Sequence, residues 1–467
     1  MRFPFKILLS CSMVFILPQV SIAQKHSVNV WLTDPAKSIF FQPQPGLAFS
    51  KSNTPGKPFI KINEDQKYQE IDGFGYALTG GSAMHIIRMS SESRAALLKE
   101  LFATDGKNIG ISYIRLSIGA SDLNERVFSY NDLPVGETDT AMQRFDLGPD
   151  RADVIPVMKE ILAINPSIKI MGSPWSPPVW MKTNNDTRGG SLKPEYYSAY
   201  AKYFVRYIQD MQKEGITIDA VTVQNEPLHP GNNPSLLMLA PDQAIFVKSH
   251  LGPAFKAAAI KTKIIIYDHN ADRPDYPISI LNDAEAKKYI DGSAFHLYGG
   301  KIEALSEVHN AHPDKNIYFT EQWVGAPGNF KKDIFEHVNK LIIGASRNWS
   351  RTVIEWNLAA DPSSNPHTDR GGCDRCLGAV TIDKNEVKRN PAYYIIAHAA
   401  KFVRPGSVRI GSDITGDLAN VAFKTPDGKI VLIVLNTGKA QADFNVTAIG
   451  KTFAANLNAG AVATYVL

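Results

Sequence analysis

Eight short apolar runs, each typical of a buried strand, alternate with helix-like stretches along most of this 467-residue chain. Buried strands that alternate with helices predict a parallel α/β sheet. Because eight is the strand count of a closed (β/α)8 TIM barrel, we expect such a barrel over residues 69–402. A doubly wound open sheet is the alternative. The runs lie at residues 70–76, 111–118, 168–172, 218–224, 263–267, 292–297, 316–320 and 352–356.

The intervening stretches carry the three- and four-residue spacing of amphipathic helices. Ser90 has the position of a helix N-cap, directly before one of them. Neither a G-x-G-x-x-G motif nor a P-loop opens a helix, which disfavours a nucleotide-binding protein. The predicted helices cover residues 91–102, 151–164, 194–213, 241–259 and 331–346.

The C-terminal part changes to short alternating strands without helices. Pro426-Asp427-Gly428 is a hairpin turn signal between two of these strands. Residues 28–32 and 59–63 are also strand-like and precede the barrel. We therefore expect a side β-sandwich domain built from both chain ends, in which residues 24–68 join residues 403–467.

The N-terminus has the pattern of a secretory signal peptide over residues 1–23. Arg2 and Lys6 precede a short apolar run, and the small residues Ser21 and Ala23 follow it. The mature protein is therefore expected to be secreted or periplasmic. One alternative is a core helix, and another is a bacterial lipoprotein signal ending at Cys11, although the apolar run continues beyond that cysteine.

The overall charge does not favour polyanionic partners. A formal net charge of +4 is small for 467 residues and does not argue for binding to nucleic acid or an anionic membrane. Outside the signal, no run approaches the ~18 apolar residues of a transmembrane helix. The two remaining cysteines, Cys373 and Cys376, are too few for a closed zinc site, and we expect no metal.

Two of the strand-like runs stop at a glutamate, Glu226 in one and Glu321 in the other. They would be barrel strands 4 and 7, and the C-terminal ends of barrel strands face the active site. Opposed carboxylates are the minimal equipment for cleaving a glycosidic bond, where one donates a proton and the other stays ionised. The structural alternative for each is a salt bridge at the barrel rim.

Further segments are similar to glycoside hydrolase family 30, which includes glucosylceramidases and endo-β-1,6-glucanases. They are residues 72–75 (DGFG), 172–184 (GSPWSPPVWMKTN), 296–298 (HLY) and 355–359 (EWNLA), together with Asn225-Glu226-Pro227. The resemblance covers most of the mature chain. It implies a barrel with a side β-sandwich and a retaining reaction, without any cofactor.

The resemblance also implies a role for each site residue. Glu226 would be the acid/base and Glu321 the nucleophile. Around them, substrate-binding or pocket roles fall to Asp122, Trp175, Asn225, His296, Tyr298 and Trp356. Of these, His296 is equally compatible with a satisfied core histidine.

The segment 371–376 (GGCDRC) departs from the glucosylceramidase pattern and resembles loops of the β-1,6-glucanase-like branch. We interpret Cys373 and Cys376 as a small disulfide that shapes a substrate-side loop. The expected substrate is a β-glucan or a glucosylated lipid, hydrolysed by a monomer. A xylan-specific enzyme and a non-catalytic carbohydrate-binding barrel are the alternatives.

Overall fold

The structure is a computed structural model that describes Met1, residues 27–50 and residues 56–467. The predicted signal peptide, including the alternative lipidation site at Cys11, lies outside the described residues. Within the part that is described, no helix is both long and apolar enough to cross a membrane.

Eight parallel strands close into a barrel in chain order, which confirms the predicted fold class. Strand 1 pairs with strand 8, and strand 8 with strand 7, so that the ring has no free edge. We number them barrel strands 1 to 8, and they comprise Gly73–Leu78, Tyr113–Ile118, Lys169–Pro174, Ala220–Thr222, Lys263–Ala271, Ile290–Gly300, Asn316–Glu321 and Ser350–Asn357.

Two predicted strands differ from the observed ones. The run 70–76 is divided at Ile71 and Asp72, whose amides donate to carbonyls of Ser407 and Arg351 and so leave both sheets. Glu70 before this break belongs to a sandwich strand, which therefore runs past the predicted boundary at residue 68. Barrel strand 4 is also shorter than the run 218–224, because the backbone leaves the ladder after Thr222.

The helices surround the barrel and bury one face each. Ser90 caps its helix as predicted, since its side chain accepts a hydrogen bond from the Ser93 amide. Two of the predicted helices contain π-helical segments, Val247–Leu251 and Val338–Ala345. The α-helices are Gly80–Arg88, Ser91–Phe102, Val154–Ile164, Tyr197–Lys213, Ala240–Phe246, Gly252–Ala257, Asp275–Leu281, Ala284–Lys287, Ala304–Ala311, Phe330–His337 and Pro391–Ala400.

Strands from both chain ends form the predicted β-sandwich beside the barrel. The long strand Phe59–Glu70 joins its two parts, because it pairs with Val408–Ser412 and also with Ala442–Ala448. The strands, in spatial order, are Ile39–Ala48, Ser27–Asp34, Val462–Val466, Ile430–Asn436, Leu418–Lys424, Val408–Ser412, Phe59–Glu70, Ala442–Ala448 and Lys451–Leu457.

The sequence analysis missed the two strands at the ends of this sheet. Ile39–Ala48 contains two prolines and a glycine, a composition that disfavours a central strand. Such a strand is tolerated at an edge, because the proline nitrogens have no hydrogen to donate to a neighbouring strand. Ile39–Ala48 pairs on one side only. Lys451–Leu457 alternates exposed and buried residues and lies at the opposite edge.

The lower barrel interior is filled by apolar side chains and the upper interior by polar ones. Strands 2 to 8 each contribute one buried residue to the apolar layer: Tyr113, Met171, Ala220, Ile265, Ala294, Tyr318 and Ile354. Above it, the buried side chains are Arg115, Ser173, Thr222, Asp268, His296 and Thr320. This upper layer supports the candidate site at the C-terminal mouth.

The barrel and the sandwich are joined through a buried histidine, His398, on the last helix. Its ring nitrogens lie 2.9 Å from Thr464 Oγ1 and 2.8 Å from Thr33 Oγ1, both on sandwich strands. Burial lowers the pKa of His398 to about 3, so that the ring is neutral and needs both hydroxyl partners.

We predict that Thr464→Val destabilises the protein by about 1–3 kcal/mol, because one buried ring nitrogen loses its partner. The free energy of unfolding from chemical denaturation measures this. Thr447→Val is the control, since its hydroxyl pairs with Thr452 at a partly buried position of the same domain. Equal effects of the two substitutions would contradict a special role for the His398 contact.

Candidate active site

Two buried carboxylates meet at the C-terminal mouth of the barrel. Glu321 is the last residue of barrel strand 7, as predicted, and Glu226 follows strand 4. One oxygen of each carboxylate and one ring nitrogen of His296 all lie within 4.8 Å of one another. The sequence placed these glutamates on separate strands, and the closed barrel brings them face to face.

Glu226 is presented by a strained turn and does not end the strand itself. Its φ is 44°, which lies in the left-handed region that glutamate rarely adopts. The turn is held by the Glu226 amide, which donates to the Asp268 carbonyl at 2.9 Å, and by the His229 amide, which donates to the Glu226 carbonyl at 2.8 Å. Such strain persists only where neighbouring structure fixes it, and it concentrates at functional sites.

Arg115 on barrel strand 2 lies beneath both carboxylates and was missed by the sequence analysis. The side chain is completely buried, and its guanidinium donates to the Glu321 carboxylate through one terminal nitrogen. The other terminal nitrogen donates to Asn225 Oδ1 and to Asp268 Oδ2, both at 2.8 Å. Nε donates to Ser173 Oγ at 3.0 Å. One cation therefore orients four polar side chains of the site.

Asp268 is the buried counterion of Arg115 and was also missed. Tyr267 and Asp268 both have positive φ values, 73° and 64°, at a register shift of barrel strand 5. This bulge turns the carboxylate inward, where it accepts hydrogen bonds from the hydroxyls of Thr222 and Thr320 at 2.7 Å. Burial opposes ionisation, but Arg115 and then the contact with the His296 ring lower the pKa of Asp268.

His296 lies below the pair and contacts three carboxylates. Its Nε2 is 3.1 Å from Asp268 Oδ1, and its Nδ1 is 3.5 Å from Glu226 Oε1 and 3.7 Å from Glu321 Oε1. Burial alone would lower the pKa of His296, but Glu321, Asp268 and Glu226 outweigh burial and raise it to about 9. At neutral pH the ring is therefore a second buried cation.

The two glutamates differ in the groups that hold them. Both oxygens of Glu321 accept strong donors, Arg115 on one side and the Tyr298 hydroxyl at 2.9 Å on the other. Among the described residues, the Asn232 side-chain amide is the one donor to the Glu226 carboxylate, at 3.1 Å, and His296 faces it. Glu321 is thus fixed in place, whereas Glu226 keeps an oxygen that can exchange a proton.

The protonation of the unliganded pair follows from these surroundings. Burial raises the pKa of Glu321, and the negative Glu226 adds to this, against the opposing charges of His296 and Arg115. For Glu226, burial is outweighed by the hydrogen bond and charge of His296, so its pKa is lowered. The proton between His296 and Glu226 is therefore held by the His296 ring.

Two stacked tryptophans form an aromatic wall. The rings of Trp175 and Trp356 are 5.3 Å apart at an interplanar angle of 29°, and the Arg115 guanidinium lies 4.9 Å from the Trp175 centroid. Trp323, two residues beyond Glu321, packs against the same cluster and was not identified from the sequence. Aromatic faces of this kind suit the C–H faces of a sugar ring.

Asp122 adds a third carboxyl group to the pocket. Burial, followed by the charges of Glu321 and Glu226, raises the pKa of Asp122 to about 8. Its carboxyl group is therefore mostly protonated at neutral pH and can both donate and accept hydrogen bonds. A group with this capacity suits a vicinal pair of hydroxyls.

These side chains surround a cavity of about 330 Å³. Six of the eight predicted site residues line it, whereas Asn225 and His296 lie beneath and contact Arg115 and the carboxylates. The lining consists of Asp122, Trp175, Glu226, His229, Asn232, Asn270, Tyr298, Glu321, Trp323, Trp356, Cys373 and Cys376.

Cys373 and Cys376 form a disulfide at the rim of this cavity. The short strand Cys376–Leu377 pairs with Val324–Gly325, which lies shortly after the strand that ends at Glu321. Cys373 packs against the tryptophan cluster. The disulfide loop is thus attached to the wall of the pocket.

We predict that the stability contributed by His296 declines as the pH rises from about 6.5 to about 9. The folded pKa of about 9 exceeds the ordinary value of about 6.5, so folding binds a proton that is lost at higher pH. The free energy of unfolding should fall less steeply over this range in His296→Gln. His85→Gln is the control, because the His85 ring contacts a backbone carbonyl only; parallel curves for the wild type and His296→Gln would contradict the prediction.

Comparisons with known proteins agree with this geometry. The glycosyl hydrolase family 30 TIM-barrel domain matches residues 71–403, and the family 30 beta sandwich domain matches residues 406–465. An endo-1,6-beta-D-glucanase of Neurospora crassa is 34% identical over 417 residues, which cover 85% of each chain. The lysosomal acid glucosylceramidase of Mus musculus is 29% identical, over 83% of this chain and 79% of its own.

A solved structure of an endo-beta1,6-glucanase is 36% identical and superposes with a TM-score of 0.88, covering 94% of this chain and 99% of that one. Both domains are therefore accounted for by one family. The chain belongs to glycosyl hydrolase family 30 and is a glycosidase.

Proposed function

We propose that this protein is an exported retaining endo-β-1,6-glucanase that acts by double displacement. The observation that carries the proposal is the close approach of the two carboxyl groups: one oxygen of Glu226 and one of Glu321 lie within 4.8 Å of each other. Retaining glycosidases hold their carboxyl groups about 5–5.5 Å apart, whereas inverting ones need about 6.5–9.5 Å to admit a water.

Glu321 is the proposed nucleophile. Arg115 and Tyr298 hold its two oxygens from opposite sides, which leaves the carboxylate little freedom to rotate and aims it at the anomeric carbon. As the Glu321–carbon bond forms, the bond to the leaving oxygen breaks. The glycosyl ester that results is later cleaved by water, which restores the carboxylate.

Glu226 is the proposed acid and then the base. In the first step it must give a proton to the leaving oxygen, and His296 holds a proton 3.5 Å away that can reach Glu226 through Nδ1. In the second step the ionised Glu226 takes a proton from the attacking water and passes it back to His296, which restores the starting protonation. The cations Arg115 and His296 offset two of the three carboxylate charges of Asp268, Glu226 and Glu321, and no step of this mechanism uses a metal.

The first sugar is proposed to be glucose in a pocket formed by the aromatic wall and Asp122. The relatives named for endo-1,6-β-glucanase activity are more similar than the mouse glucosylceramidase, which favours a glucan over a lipid. The disulfide loop also favours a glucan as substrate, because its motif departs from the glucosylceramidase pattern. A glucosylated lipid is the second candidate, because the mouse relative carries that activity in its name.

Export and a monomeric state also belong to the proposal. The signal-like N-terminus motivates export, and the disulfide between Cys373 and Cys376 suits an oxidising compartment. N-terminal sequencing of the protein recovered outside the cytoplasm would test the cleavage after residue 23. An uncleaved N-terminus would count against export.

We predict that Glu321→Ala abolishes hydrolysis of an aryl β-glucoside, and that Glu226→Ala slows it by about 10²–10⁴-fold. Azide should restore turnover in Glu226→Ala, because an anionic nucleophile needs no base to open the glycosyl ester, and the product should be the β-glucosyl azide. The anomer released first by the wild type, followed by NMR, should be β.

Three results would contradict these roles. An α-anomer released first would exclude a retaining reaction, full activity in both variants would exclude both glutamates, and azide rescue confined to Glu321→Ala would exchange their roles. Absence of any reducing sugar from every glucan tested with the wild type would favour a non-catalytic binding barrel.

We predict that a linear β-1,6-glucan is hydrolysed faster than glucosylceramide or glucuronoxylan when the three are compared side by side. Release of several oligosaccharide sizes at early times would show endo action, whereas glucose alone would show exo action. A higher kcat/KM for glucosylceramide would instead support the lipid candidate. Glu321→Ala is the blank for all three substrates.

A further inference from the structure

A second cavity, of about 600 Å³, lies between the loops that follow barrel strands 2 and 3. We call it the loop groove. Its walls combine the aromatic rings of Trp180 and Tyr196 and the exposed side chain of Val135 with three charged groups, Asp132, Glu137 and Lys193. Nothing in the mechanism above uses this cavity.

Two segments of the chain contribute residues to both the loop groove and the active site. Trp175 lines the catalytic cavity, and the next two residues, Ser176 and Pro177, line the groove. Asn232, which donates to Glu226, is likewise two residues from Pro234 in the groove wall. The same two loops therefore supply walls to both cavities.

Trp180 is held as a firm surface within the groove. Its indole nitrogen donates to the Asn131 carbonyl at 3.1 Å, and the Tyr196 ring packs edge-on against it at 4.9 Å. Both rings are only partly buried. An indole fixed in this way can stack on a sugar ring without losing side-chain entropy.

The polar groups of the groove match hydroxyls better than an acyl chain. The carboxylates of Asp132 and Glu137 accept hydrogen bonds, the Lys193 ammonium donates them, and they alternate with the apolar faces. Each of these charges already has a partner within the protein: Ser129 for Asp132, Arg144 for Glu137 and Asn185 for Lys193. A carboxylate keeps further lone pairs that sugar hydroxyls can reach, whereas an acyl chain would cover these groups without adding a hydrogen bond. A glucan offers both an apolar face and a ring of hydroxyls.

We propose that the loop groove is a second carbohydrate-binding site, which binds glucose units of the glucan distant from the bond that is cleaved and stacks one of them on Trp180. This inference rests on the proposed β-1,6-glucanase function. It makes activity dependent on chain length, because only a long substrate reaches both cavities.

The test compares one long and one short substrate in the same variants. Trp180→Ala should lower kcat/KM on linear β-1,6-glucan about tenfold, mainly through KM, and leave the aryl β-glucoside unchanged. Trp180→Phe is the matched control: it keeps an aromatic face but loses the hydrogen bond to Asn131, and it should retain most activity on the glucan. Tyr196→Ala is a second variant, with a smaller expected loss, should Trp180→Ala fail to fold.

The outcomes separate the two proposals. Wild type that cleaves the aryl glucoside but no β-1,6-glucan would overturn the proposed substrate and the groove site with it. Wild type that cleaves the glucan, with all three variants unchanged on it or equally impaired on both substrates, would overturn the groove site alone. Thermal unfolding of each variant identifies losses that come from instability.

Discussion

The buried guanidinium of Arg115 is the interaction on which the site depends. A charge without solvent is costly unless every part of it is paired, and Arg115 is paired with the carboxylates of Glu321 and Asp268 and with Asn225 and Ser173. These partners come from barrel strands 3, 5 and 7 and from the turn after strand 4. A single side chain on strand 2 therefore fixes the relative position of groups that are distant in the sequence.

The backbone is distorted where it must supply these partners. Barrel strand 5 bulges at Tyr267 and Asp268, and the chain after strand 4 takes a left-handed turn at Glu226. The two distortions are linked, because the Glu226 amide donates to the Asp268 carbonyl. The turn that presents Glu226 thus rests on the bulge that presents the counterion of Arg115. The backbone strain at these residues persists because it brings the carboxylates and the Arg115 cation into one hydrogen-bonded network.

This network explains what the sequence could and could not predict. Strand and helix periodicity is local, so the barrel, the sandwich and the strand end at Glu321 could be predicted from the sequence. Arg115 stands among apolar residues of an ordinary strand, and only closure of the barrel brings it to its partners on strands 3, 5 and 7 and on the turn after strand 4. Asp268 was hidden for the same reason, since its inward direction arises from a bulge. Trp323 and the edge strand Ile39–Ala48 carry little local signal.

The size of the catalytic cavity places limits on how specificity can arise. About 330 Å³ is at the lower end of the range for ligand pockets, which suits a single sugar ring. The contacts proposed for this ring, the aromatic wall and Asp122, are equally open to any β-glucoside. Discrimination between a glucan and a lipid must then come from the loops beyond it. The disulfide loop borders one side of the cavity, and the segments after Trp175 and Asn232 continue into the wall of the loop groove. Substrates are therefore distinguished by the parts that contact these loops.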